Sequence, residues 1–140
     1  MHRILLVEDN PADVRLMREA LAEQQLAIEL LVAADGEEAT RLLSDPAKRP
    51  DLILLDLNLP GKDGREVLAE IKADDDLRNI PVLVLTSSDS EYDVERCYAL
   101  HANVYLRKPL SFSALRGIVG AIDAFWLGLA RLPPRAHPAG

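Results

Sequence analysis

Short apolar runs and longer amphipathic segments alternate five times along this chain of 140 residues. The runs are rich in Val, Ile and Leu and apolar on both faces, which is typical of strands buried between two layers of helix. The five predicted strands are residues 4–7, 28–33, 52–55, 82–85 and 104–106. This alternation predicts an α/β fold, a doubly wound parallel sheet with right-handed crossovers and helices on both faces.

Capping signals mark where the predicted helices begin. Asn10 followed by Pro11 is a typical N-cap with proline at the first helical position, and it begins a helix that runs to about residue 24. Ser111 caps the last helix, and His101 is expected to be a helix-end residue rather than a metal ligand. The remaining helices are predicted at residues 36–44, 64–73 and 91–100.

The acidic balance of the chain limits its partners. The net charge is −7, whereas a nucleic-acid binder needs a basic surface that faces phosphates. The single cysteine, Cys97, has no partner for an internal disulfide and is expected to be a small buried residue. The N-terminal apolar run is too short for a signal peptide, and no stretch looks able to span a bilayer. We therefore expect a cytoplasmic protein whose partners include neither nucleic acid nor a membrane.

Charged and polar residues follow four of the predicted strands. The carboxyl ends of parallel strands meet at one edge of an open sheet, where ligands bind. Crowded carboxylates repel one another unless a cation lies among them, and Mg²⁺ best suits one or two carboxylates together with water and a phosphate oxygen. The predicted Mg²⁺ ligands are Asp9 and Asp56 directly, Asn58 through its backbone carbonyl, and Glu8 through water.

Asp56 is also the predicted reactive group. We expect its carboxylate to face solvent at the tip of the third strand, where it can accept a phosphoryl group as an aspartyl-phosphate. Mg²⁺ and the ammonium of Lys108 would neutralise the transferring group, and the hydroxyl of Thr86 would donate a hydrogen bond to it.

These segments resemble the receiver domain of two-component response regulators. The resemblance runs from Arg3 to about Phe125 and is carried by residues 8–9, 56–64, 86–88 and 105–109. It implies a flavodoxin-like (βα)5 sheet with strand order 2-1-3-4-5 and a receiver domain over residues 1–125. It also implies transfer of a phosphoryl group from a phosphohistidine of a sensor histidine kinase. Such a protein catalyses its own phosphorylation and dephosphorylation and is otherwise not an enzyme.

The resemblance implies two further features near the site. The Lys108–Pro109 peptide bond is expected to be cis, which would aim the lysine into the pocket. Thr86 and Tyr105 are expected to form a switch: on phosphorylation the hydroxyl of Thr86 moves toward the phosphoryl group and the ring of Tyr105 turns inward.

The last helix is predicted to extend beyond the sheet into a C-terminal extension, residues 126–140, that ends in a loose tail. Its apolar residues recur at spacings of three and four, as in a heptad seam. An apolar patch left in water favours a two-fold homodimer; the alternative is that the helix bends back and covers its own domain. The predicted interface residues are Phe125, Trp126, Leu129 and Leu132.

Residues 8–16, 62–72, 100–103 and 125–127 resemble one subgroup, the single-domain regulators paired with phytochrome-type histidine kinases. This similarity implies a red/far-red photoreceptor kinase as partner and dimers made through the C-terminal extension.

Three other functions compete with phosphoryl acceptance. A flavodoxin-like cofactor carrier needs a phosphate-cradling loop after the first strand, where Glu8 and Asp9 would repel a flavin phosphate. A phosphatase-like hydrolase commonly needs a second acid two residues after its nucleophile, and Asn58 cannot donate that proton. A receiver that is never phosphorylated would act as a scaffold.

Overall fold

The structure, a computed structural model, describes residues 2–24 and 27–134. Within this part of the chain, parallel β-strands form one sheet in the order β2-β1-β3-β4-β5. The strands are β1 His2–Val7, β2 Ile28–Ala33, β3 Leu52–Leu55, β4 Val82–Thr86 and β5 Val104–Arg107. The predicted strand order and doubly wound α/β class are therefore confirmed, and the predicted strand boundaries differ from the observed ones by two residues or fewer.

Five α-helices connect or follow these strands in the described residues. They are α1 Pro11–Ala22, α2 Gly36–Leu43, α3 Gly64–Ala73, α4 Glu91–Ala99 and α5 Phe112–Ala121. The predicted caps are in place, since Asn10 accepts hydrogen bonds from the backbone of α1 and Ser111 accepts one from that of α5. A short 3₁₀ helix, Pro46–Lys48, lies between α2 and β3 and has no counterpart in the prediction.

Helices cover both faces of the sheet, and side chains alternate along each strand, so each strand contributes residues to both faces. One face carries α2, α3 and α4, and the other carries α1 and α5. Strand residues that lie on the first face include Leu5, Val7, Ile53, Leu55 and Val84, and those on the second include Ile4, Leu6, Leu54, Leu83 and Leu85. Continuous apolar strands are thus explained by two separate cores. Cys97 on α4 is fully buried in the first core, as predicted.

The predicted extension of the last helix is not a continuous α-helix. After α5 the backbone continues as a π-helix over Ile122–Leu129, and the N–H of Ala130 donates to the carbonyl of Phe125. This wider turn ends the spacing of three and four that a heptad seam requires. Leu127 is buried, and Trp126 and Leu132 pack against the core between α1, α5 and the sheet.

The sequence left two expectations for this segment, an exposed dimer surface or a helix that folds back on its own domain, and each applies to different residues. Trp126 and Leu132 are covered in part by their own domain, whereas Phe125 and Leu129 remain 54% and 81% exposed. Of the predicted loose tail, residues 135–140 lie outside the described residues.

The helical stretch Phe112–Leu129 is 18 residues long with a mean hydropathy of 1.4, enough by length and composition alone to cross a membrane. The expectation that no such stretch exists was therefore wrong. In the fold, however, this stretch supplies buried residues to the second core, including Leu115, Val119 and Ile122. Its apolar character is explained by packing on the sheet.

Helix α4 ends at a residue with left-handed backbone conformation. His101 has φ of 71°, and its N–H donates to the carbonyl of Tyr98, so the prediction of a helix-end residue is confirmed. A side chain at positive φ crowds its own carbonyl, at a cost of roughly 1–2 kcal/mol, and glycine avoids this cost.

We predict that His101→Gly raises the free energy of unfolding by about 1 kcal/mol, because the relief of backbone strain in the folded state exceeds the extra entropy of glycine in the unfolded chain. Urea denaturation measures this change. His101→Ala retains the β-carbon and should not produce the gain; an equal gain for both variants would assign it to the imidazole.

Candidate functional site

The carboxyl edge of the sheet brings the predicted site residues together. Glu8 and Asp56 directly follow β1 and β3, and each donates its backbone N–H to the neighbouring strand. Carboxylate oxygens of Glu8, Asp9 and Asp56 all lie within 4.8 Å of one another. Lys108 follows β5, and its N–H donates to the carbonyl of Thr86 at 2.7 Å. Backbone hydrogen bonds of the sheet thus hold in place the Cα atoms from which these side chains extend.

The ammonium of Lys108 lies at the centre of the acidic groups. Its Nζ donates to Asp56 Oδ2 at 2.9 Å, to Asp13 Oδ2 at 3.0 Å and to Glu8 Oε1. Four segments of the chain meet at this one nitrogen, namely the loop after β5, the first turn of α1 and the ends of β1 and β3.

The Lys108–Pro109 peptide bond is trans, so the expected cis bond at Pro109 was wrong. A peptide bond before proline prefers trans by about 0.5–1 kcal/mol unless packing selects the other isomer. Here the trans bond already delivers the lysine ammonium to the carboxylates, and the side chain does not need the cis turn to reach them.

Burial separates the three carboxylates of the cluster. Glu8 and Asp56 are 3% and 6% exposed, whereas Asp9 is exposed. The expectation that Asp56 faces solvent was wrong, because Lys108 bonds directly to its carboxylate. The carboxylate of Asp56 is therefore already paired with an ammonium group in this structure.

The environment shifts the pKa values of these groups in opposite directions. Burial raises the pKa of Glu8 to about 8, and its hydrogen bond with Asp56 adds to this rise. Burial acts against ionisation of Asp56 as well, but hydrogen bonds with Glu8 and Lys108 outweigh it and lower the pKa of Asp56. Burial also opposes the charge on Lys108, yet hydrogen bonds to Glu8, Asp56 and Asp13 raise its pKa. At neutral pH Asp56 is therefore ionised while Glu8 retains a proton.

These values predict a pH-dependent stability in the absence of divalent cations. Between the ordinary pKa of 4.5 and the folded value of about 8, folded Glu8 holds a proton that the unfolded chain has released. Stability conferred by Glu8 therefore falls as the pH rises through this window. The measured quantity is the difference in free energy of unfolding between the natural chain and Glu8→Gln. As the pH rises from 5 to 8, the advantage of the natural chain should fall by at least about 1 kcal/mol.

Urea denaturation in a chelating buffer at several pH values measures that difference. Glu19→Gln changes an exposed acid on α1 and is the matched control, with a difference that stays flat. A difference for Glu8→Gln that rises with pH would contradict the raised pKa.

The donor set fits a hard divalent cation. Three carboxylates within one ion's reach, two of them buried, are oxygen ligands of the type that Mg²⁺ prefers. The loop after β3 is held in place by Asn58, whose N–H donates to Asp56 Oδ1 at 3.2 Å. It also packs on Gly64 of α3, where an added β-carbon would lie 2.2 Å from the carbonyl oxygen of Asp56.

Thr86 and Tyr105 lie beside this cluster on β4 and β5. Thr86 is fully buried, and its Oγ1 makes no hydrogen bond of standard geometry among the described residues. It is still near enough to the carboxylate of Asp56 to help lower the pKa of that group. The ring of Tyr105 packs partly buried on the first core, and its hydroxyl donates to the carbonyl of Ser88 at 2.8 Å.

Sequence reasoning gave no role to several residues that the fold brings to this edge. Asp13 lies in the first turn of α1, which begins three residues after Glu8, and this nearness to a strand end could have identified it as a neighbour of the site. Arg65 and Asp93 form an ion pair between α3 and α4, and their separation of 28 residues leaves no local signal.

The chain belongs to the response regulator receiver domain family, whose model matches residues 4–120. It is similar to the response regulator Rcp1 of Synechocystis sp., with 50% identity over 135 residues that cover 93% of this chain and 92% of Rcp1.

Two solved structures are similar over the whole fold. The phosphorylated cyanobacterial phytochrome response regulator RcpA has a TM-score of 0.91 and 51% identity, covering 96% of this chain and 100% of that one. The Mn²⁺-bound form of Rcp1 has a TM-score of 0.88 and 48% identity with the same coverage.

Proposed function

We propose that this protein is a single-domain response regulator that accepts a phosphoryl group on Asp56 from a sensor histidine kinase and relays the signal by protein contacts. The observation that carries the proposal is the contact between Lys108 Nζ and Asp56 Oδ2 beside a cluster of oxygen ligands. Family membership and the similarity to phosphorylated RcpA support it.

The proposed reaction places few chemical demands on the protein. An oxygen of ionised Asp56 forms a bond to phosphorus while the phosphorus–nitrogen bond of the kinase phosphohistidine breaks and the imidazole leaves. Lys108 neutralises charge on the phosphoryl oxygens, and Thr86 donates its unpaired hydroxyl to one of them. Hydrolysis by water later returns Asp56 to its free carboxylate.

We assign Mg²⁺ as the cofactor of this step. Asp9, Asp56 and the backbone carbonyl of Asn58 would hold it, with Glu8 acting through water, and it would supply positive charge in addition to that of Lys108. The similarity to Mn²⁺-bound Rcp1 supports a divalent ion at these acids. The same ion would displace the proton of Glu8.

The flavodoxin-like carrier and the phosphatase-like hydrolase are less consistent with this site. Glu8 and Asp9 occupy the place of a phosphate-cradling loop, and Asn58 stands where a hydrolase has its general acid. A scaffold that is never phosphorylated would not need the lysine ammonium placed on a buried carboxylate.

Asp56→Asn should abolish labelling by a small phosphodonor in the presence of Mg²⁺, because the amide cannot attack phosphorus. Intact-protein mass spectrometry should find one added phosphoryl group on the natural chain and none on the variant. Asp75→Asn is the matched control, since the Asp75 side chain is 87% exposed on the surface. Labelling of Asp56→Asn at the natural level would refute the assignment.

We propose a phytochrome-type histidine kinase as the partner, on the strength of the similarity to the phytochrome response regulator RcpA. We also propose that the regulator is cytoplasmic and contacts neither nucleic acid nor a membrane, which its net charge of −7 supports. Phosphotransfer from such a kinase under red and far-red light tests the partner separately from the site.

We further propose a homodimer in which residues 126–140 extend the receiver domain of residues 1–125. Phe125 and Leu129 present the exposed apolar surface, and the ring of Trp126 meets that of Phe125 edge-on at 5.6 Å. Phe125 and Trp126 also line a cleft of about 260 Å³, whose other walls are apolar residues of β4, β5, α5 and the start of the π-helix. A second copy that covers this surface would remove it from water.

The double substitution Phe125→Glu and Leu129→Glu should convert the dimer to a monomer, measured by light scattering. These side chains are exposed, so the fold should survive; deletion of residues 126–140 is less selective because it also removes buried Leu127. Leu110→Glu changes a 98% exposed leucine outside the cleft and should leave the dimer intact. A monomeric natural chain would contradict this proposal.

A further inference from the structure

A network of charged and polar side chains lies next to the candidate site but outside it. Arg65 of α3 meets Asp93 of α4 side-on, with Nε to Oδ1 at 2.9 Å and Nη2 to Oδ2 at 2.7 Å. The same carboxylate accepts the hydroxyl of Ser88 at 2.6 Å. Asp93 is 8% exposed and the Arg65 side chain 27%, so this pair is shielded from water far more than the Arg78–Asp75 pair, whose side chains are 59% and 87% exposed.

At the start of α3, the N-cap residue binds the side chain of Arg65 instead of capping the helix. Asp63 occupies the N-cap position, where a carboxylate ordinarily accepts backbone N–H groups, but it makes no capping bond. Instead both of its oxygens accept from Arg65 Nη1 at 3.1 Å. The guanidinium is thus held from two sides, and a planar fork of donors is needed to satisfy both carboxylates.

This network connects the two halves of the site. On one side, Gly64 precedes Arg65 and packs directly on the backbone of Asp56. On the other side, Ser88 lies two residues after Thr86, and its carbonyl accepts the hydroxyl of Tyr105. A movement of Thr86 toward a phosphoryl group must therefore act on a loop that is tied to α3 and α4.

We propose that Arg65 and Asp93 are positioning residues that hold the β4–α4 loop, residues 87–90, in the conformation in which Tyr105 binds the carbonyl of Ser88. Neither touches the reacting atoms. By fixing Ser88 they set how readily the loop leaves this conformation, and hence how strongly phosphorylation of Asp56 is coupled to Tyr105. The coupling to phosphorylation rests on the proposed function. The effect of Arg65 and Asp93 on the hydrogen bond between Tyr105 and Ser88 does not.

The primary test follows Tyr105 directly in the unphosphorylated protein. Fluorotyrosine incorporation gives three ¹⁹F resonances, one for each tyrosine, and Tyr105→Phe identifies the resonance of residue 105. Arg65→Met and Asp93→Asn should each shift or broaden that resonance, because the loop then samples other conformations. Arg65→Lys keeps the charge but loses the fork, and it should also fail to restore the natural resonance.

Matched controls separate this role from general stability. Arg78→Met breaks the exposed ion pair with Asp75 and should leave Tyr105 unchanged. Ser88→Ala removes one hydroxyl and leaves the ion pair in place, so it gives a milder variant if a charge substitution fails to fold. Tyr105 resonances identical to the natural one in folded Arg65→Met, Asp93→Asn and Ser88→Ala would overturn the proposal.

The coupling is tested on the phosphorylated protein. The lifetime of the phosphoryl group should change several-fold in Arg65→Met and Asp93→Asn, and the double variant should change no more than either single variant, since both remove one interaction. A natural lifetime in all three would overturn the coupling. Failure of the natural chain to accept a phosphoryl group would refute the proposed function. The Tyr105 measurement would still test whether Arg65 and Asp93 hold the β4–α4 loop.

Discussion

The ammonium of Lys108 among buried carboxylates is the interaction on which the site depends. Glu8 and Asp56 lie almost out of water, where like charges repel strongly and an ionised group without a partner is costly. Lys108 offsets one charge and Glu8 removes another by keeping its proton. The site thus keeps Asp56 ionised although it is buried, beside a set of oxygen ligands that suits a divalent cation.

The rest of the domain positions this interaction and transmits its state. The parallel sheet fixes where β1, β3 and β5 end, and the close approach of Gly64 fixes the loop that carries Asp56. On the far side, an unpaired hydroxyl at Thr86 and the hydrogen bond of Tyr105 form a region that can respond to new charge. Backbone hydrogen bonds pair β4 with both β3 and β5, so the strand ends that carry Asp56, Thr86 and Tyr105 are neighbours in the sheet.

Sequence reasoning succeeded where the signal was local or periodic. Apolar runs gave the strands, capping residues such as Asn10 and Ser111 gave the helix starts, and the strand-end rule brought Asp56 and Lys108 to one edge. It failed where the outcome depends on packing between distant segments. The peptide bond before Pro109 is trans, and the heptad spacing of the last helix ends where the backbone widens into a π-helix from Ile122 onward.

By itself, then, the sequence determined the α/β class, the places where strands end and the types of group that meet there, since these follow from patterns within a few residues. Tertiary structure decided the burial of Asp56, the inclusion of Asp13 around Lys108, and the pairing of Arg65 with Asp93. Contacts across many residues set these features, and their energies depend on distance and exclusion of water, which one-dimensional spacing does not contain.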